Sequence, residues 1–124
     1  MKIDLWENLV NFVGIQKRTV LPFSELLNLP VFQWVNFAPG IDARILPCLY
    51  PNQLCIECTM KKGSKLDRHG HDYLEGFVIM SGAVRDNVSG VAMKADGKLT
   101  SWRKGTEHEP EALEDSRILI YCEL

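Results

Sequence analysis

Nowhere does this chain carry an apolar run near the ~20 residues that cross a bilayer, and its longest apolar stretches are far shorter. It also lacks a charge of one sign: Lys+Arg 14 against Asp+Glu 16 give a formal net charge of -2, with no long block of either. No field is available to hold a polyanion nonspecifically. Neither a membrane nor a nucleic acid is therefore expected as a partner. Repeats and low-complexity tracts are missing too. The opening Met1-Lys2-Ile3-Asp4 does not show a signal peptide's basic-then-apolar order, so the expected location is cytoplasmic.

What is there is ordinary for a globular protein: 124 residues, 46% hydrophobic and 24% charged. That length closes one core and leaves little room for a second, so one site is expected.

Four cysteines, Cys48, Cys55, Cys58 and Cys122, are read as reduced thiols, because a chain with this much apolar residue needs no staples. Cys55-Ile56-Glu57-Cys58 has the CxxC spacing of redox and zinc sites. Yet Leu54, Ile56, Cys58 and Met60 alternate with Cys55, Glu57 and Thr59, which reads as a strand. Residues three apart in a strand face opposite ways, so the two sulfurs do not share an ion.

Residues 4 to 13 place Leu5, Trp6, Leu9, Val10 and Val13 at helical spacing, with Asp4 as N-cap and Gly14 as stop. A short helical piece around Glu25 to Leu27 follows, ended by Pro30. Residues 1–30 are thus expected to be an N-terminal helical arm. From Val31 onward short segments alternate with turn residues: Phe32 to Phe37, Ala43 to Leu46, Leu54 to Met60, Phe77 to Met80, Leu99 to Arg103 and Ile118 to Leu124. Many short strands without long helices predict an all-β barrel or sandwich over 31–124.

The chain has only three histidines. His69 and His71 lie two apart in Lys65 to Tyr73, a segment compatible with a strand, so both imidazoles share one face. Gly70 offers no bulk on the opposite face, and Glu75 follows after a stretch in which the chain can turn its carboxylate toward them. Two imidazoles and a carboxylate suit Zn, Fe, Mn, Co or Ni and leave positions open. Taken alone, an HxH is more often an exposed polar pair on a hairpin.

The wider spacing changes the odds. Gly63, five residues, His69-x-His71, three residues, Glu75, six residues and Gly82 resemble at every fixed position the first motif of the cupin superfamily. A second cupin motif, P-x-G-x-x-H-x3-N, is matched in part by Arg103 to His108: Gly105 and His108 are present, while Arg103 replaces the proline and Ala112 the asparagine. Further likeness lies in Trp34-x-Asn36, Pro39-Gly40-Ile41 and Arg44-x-Leu46, in Trp102-Arg103, and in His108 with Pro110. It is similar to the subgroup holding the cupin domain of zinc-binding anti-sigma factors and the small dioxygenases that cleave diketones or hydroxyacetophenones.

The resemblance implies a small antiparallel, jelly-roll-like cupin barrel holding one divalent transition metal ion (Fe, Zn, Mn or Ni) through His69, His71, Glu75 and His108. The function it implies is a metal-dependent enzyme, dioxygenase-like, acting on a compact oxygenated small molecule. The alternative is a non-catalytic sensor or binding module like the anti-sigma cupin domains. Candidate catalytic residues are Arg103, which could pair a substrate carboxylate or enolate, and Glu107, which could orient an imidazole. Asp67, Met80 and Trp102 are candidate pocket residues. The apolar stripe of residues 4 to 13 suggests a homodimer.

Overall fold

The computed structural model describes residues 33–46, 53–70 and 74–123. The expected helical arm, and with it Cys48 and His71, lies outside the described residues.

Among the described residues the chain is entirely β: β1 Val35–Ala38, β2 Ile41–Leu46, β3 Gln53–Met60, β4 His69–Gly70, β5 Leu74–Ser81, β6 Ala83–Asp86, β7 Ala92–Lys94, β8 Leu99–Trp102, β9 Glu107–His108, β10 Pro110–Ala112 and β11 Ser116–Glu123. Six strands form one sheet in the order β1-β2-β3-β11-β5-β8, three form a second, β10-β6-β7, and β4 pairs with β9. Every pairing is antiparallel. The six expected strands are all present, and β2 and β5 start earlier than their apolar runs suggested. The short strands β4, β6, β7, β9 and β10 were not foreseen as strands of their own. At two to four residues they are too short to show a period.

Period-two burial explains the arrangement. In β3, Leu54, Ile56, Cys58 and Met60 point inward, and β11 does the same with Ile118, Ile120 and Cys122. These meet Val84, Met93 and Ala112 of the three-stranded sheet and Leu66 in one hydrophobic core. Cys58 is buried inside while Cys55 is half-buried on the other face, as the alternation required. Burial, with Asp42 and Glu75 adding to it, pushes the Cys58 thiol up to about 12.

One turn glycine is required twice over. Gly82 links β5 to β6 with φ 84, and a Cβ there would lie 2.3 Å from Ser116 Oγ and 2.4 Å from the Asp115 carbonyl oxygen. A side chain fits neither the backbone conformation nor the space.

Candidate metal centre

The two-stranded β4–β9 ribbon aligns His69 directly with His108, so their side chains share a face. Their Nε2 atoms stand 2.9 Å apart. Glu75 arrives from β5 in the large sheet, and its Oε1 is 3.2 Å from His108 Nε2. All three side chains are buried, at 3%, 2% and 0% for His69, Glu75 and His108. Residues 39 positions apart in sequence thus meet because two short strands pair.

Local geometry prepares the donors. The Asp67 carbonyl oxygen lies 2.7 Å from His69 Nδ1. A carbonyl only accepts, so Nδ1 carries the proton and Nε2 presents its lone pair inward. Around His108 stands an aromatic wall. Trp102, the cross-strand partner of Glu75, is edge-on to His108 with centroids 4.8 Å apart and to Phe77 at 4.6 Å. Gly70 keeps the ribbon close: a Cβ there would meet the Thr106 carbonyl oxygen at 3.2 Å and Glu107 Cγ at 3.3 Å.

The donor set suits a metal ion in chemistry, and two of its separations are of the size such a centre needs. Metal–nitrogen bonds of about 2.0–2.1 Å put neighbouring donors about 2.9 Å apart at a right angle and about 3.4 Å apart at the tetrahedral angle. The two measured separations, 2.9 and 3.2 Å, fall in that span. Among the described residues no group of three or more histidine, cysteine, aspartate or glutamate side chains is so placed that it could hold a metal ion. His71, the fourth expected donor, lies outside them.

The other candidates are placed as follows. Glu107 is next to His108 in β9, on the opposite face, where Arg68 Nε donates to its Oε2 at 2.5 Å. Arg103 is exposed in the turn after β8, its carbonyl accepting from Thr106 N at 3.0 Å. Asp67 contributes its backbone oxygen. Met80 is exposed and sits five residues along β5 from Glu75, about 16 Å at strand rise, so it does not line this site. Phe77 was overlooked in the sequence, although its place two residues after Glu75 puts it on the same strand face.

No family model matches the chain, and no curated protein matches it. Solved structures do. A chain from the structure of Rhodobacter sphaeroides SigE in complex with the anti-sigma ChrR is 22% identical with TM-score 0.64, covering 94% of this chain and 55% of that one. A Shewanella frigidimarina RmlC-like cupin is 15% identical with TM-score 0.66, covering 88% and 94%. An acetylacetone dioxygenase from Acinetobacter johnsonii is 15% identical with TM-score 0.62, covering 73% and 62%.

Proposed function

Because this chain has the cupin fold, we propose that it binds one divalent transition metal ion through His69, His71, Glu75 and His108 and acts as a metal-dependent oxygenase on a compact oxygenated small molecule. The observation that carries the reading is the meeting of His69 Nε2, His108 Nε2 and Glu75 Oε1 at 2.9 and 3.2 Å, all three side chains being buried. A buried cluster of two imidazole nitrogens and a carboxylate oxygen suits a divalent cation.

A bound divalent ion would supply Lewis acidity and, if it is iron, a place for O2 chemistry. The chain's own residues do the rest. Asp67 fixes the tautomer of His69, and Trp102 and Phe77 pack against the His108 ring and hold it. The likeness to the acetylacetone dioxygenase favours a small β-diketone or hydroxyaryl ketone as substrate.

Elemental analysis of protein purified without added metal or a chelating tag is the first test, and near one equivalent per chain is expected. His108→Ala should weaken metal affinity at least tenfold; an unchanged equivalent and affinity would refute the assignment. With iron loaded, O2 uptake on a panel of such ketones should exceed the free-iron control.

A second reading, a non-catalytic metal-holding sensor, is favoured by the match to the SigE–ChrR structure over 94% of this chain. Zinc in place of iron, together with no O2 uptake across the panel, would select it.

A further inference from the structure

We infer that a polar cleft at the end of the six-stranded sheet away from Glu75 is a second binding site, and that its ligand is a small zwitterion, a free amino acid. Four of its side chains stand in one row across the sheet. Asp42 of β2 is opposite Thr59 of β3, Thr59 is opposite Arg117 of β11, and Arg117 is opposite Ser81 of β5. With Lys61 and Asp115, from the loops beside this row, they line a cavity of about 320 Å³. That is the lower end of the range for small-molecule pockets, so the ligand is compact. Ser81 closes β5 six residues after Glu75, about 20 Å at strand rise. The cleft is therefore separate from the proposed metal centre and does not rest on it.

Three of its charged groups are held from outside the cleft. Asn36 Nδ2 donates to Asp42 Oδ1 at 2.9 Å and Lys62 N to Asp115 Oδ1 at 2.8 Å. Arg117 donates through Nε and Nη2 to Glu57. Each hold leaves part of the group for a ligand: Oδ2 of both aspartates and Nη1 of Arg117. Among the described residues Asp42, Asp115, Lys61 and Arg117 form no ion pair with one another. Opposite charges thus face one cavity at set positions without neutralising each other. Such an arrangement is pre-organised for a molecule that carries both signs.

The balance of charge selects the ligand class. Two cations, Lys61 and Arg117, and two anions, Asp42 and Asp115, line the cleft, so it favours neither a simple anion nor a simple cation. A carboxylate and an ammonium on one carbon meet both signs. The carboxylate takes the Arg117 guanidinium, with the Thr59 and Ser81 hydroxyls on the two flanking strands as further donors. The ammonium takes Asp42. Asp42 and Arg117 stand two strand spacings apart, about 10 Å between backbones, which their side chains and such a ligand span together. The ligand's own side chain then lies toward Lys61 and Asp115, so a polar one is preferred.

Titration calorimetry on the full chain tests this, with L-serine and L-glutamine as probes. N-acetyl-L-glutamine, without the ammonium, and L-glutaminamide, without the carboxylate, are the comparison. Saturable binding of at least one of the two amino acids at a dissociation constant of about a millimolar or tighter is expected, with both blocked forms at least tenfold weaker. Asp42→Asn should weaken binding at least tenfold while the fold is kept, since the new amide oxygen still accepts from Asn36. Arg117→Gln should do the same. If it does not fold for want of the Glu57 contact, Arg117→Lys, which loses the planar fork, takes its place. Chelator-treated and metal-loaded protein should bind equally. No saturable heat with either amino acid, equal binding of the blocked forms, or affinity untouched by Asp42→Asn would overturn the site. Binding that disappears with the metal would put the ligand at the histidines and equally overturn it.

Discussion

Asp86 accepts from Val88 N, Ser89 N, Ser89 Oγ and Glu109 N at 3.1, 3.1, 2.7 and 2.8 Å. It ties the β6–β7 turn to the strand that follows His108. Burial alone would raise its carboxyl, but Glu109, Ser89 and Val88 outweigh that and hold it below the usual aspartate range. A carboxyl lowered in the folded state contributes stability that is complete above its unfolded value, about 3.9, and is lost as pH falls through the lower folded value. The Tm gap between the wild type and Asp86→Asn should thus be widest at neutral pH and close below about pH 4. Thermal unfolding across pH measures this, and parallel curves would deny Asp86 the role. Glu57 shows the same balance: burial raises its carboxyl, and Arg117 and Arg44 more than compensate. Neither acid stood out in the sequence. The partners of Glu57 come from other strands, Arg117 from 60 residues away, so no local spacing marks it, whereas three of the four bonds to Asp86 come from Val88 and Ser89 in its own turn.

At the scale of the element, the β5–Gly82–β6 corner carries the greatest constraint. The first cupin-like motif ends on this glycine, and the structure gives its reason: φ 84 and Ser116 Oγ where a Cβ would go. Ser116 Oγ accepts from Ala83 N and donates to the Glu114 carbonyl at 2.7 Å, so it has little freedom to withdraw. Gly82→Ala should cost about 2–4 kcal/mol, seen as a lower denaturant midpoint with unchanged slope. Gly63→Ala is the control: its φ is also positive, 83, but nothing lies within 4 Å of the added Cβ, so it should cost less. Equal losses would mean that backbone strain alone decides. The same scale settles Cys55 and Cys58, which a strand sends to opposite faces.

For the molecule as a whole, metal and stability should be linked. The proposed donors come from the β4–β9 ribbon and from β5 of the large sheet, so an ion would clamp elements that otherwise meet only through packing. At about a hundred times its dissociation constant a ligand adds about 2.7 kcal/mol, which for a chain of this size is a Tm rise of roughly 3–8 °C. Chelator-treated and metal-loaded protein compared by calorimetry should show it; identical transitions would separate the ion from the fold. Alternating apolar residues and turn glycines were enough to predict an all-β chain, since period-two burial is a local property. Motif spacing alone singled out His69 and Glu75, because both belong to one short stretch. The tertiary structure decided what local spacing cannot encode: that the partially matched His108 lies opposite His69, that Trp102 and Phe77 wall it in, and that Glu107, its neighbour, faces Arg68. Those outcomes depend on the register between strands distant in sequence. Moving that register by one residue would turn each of these side chains to the other face.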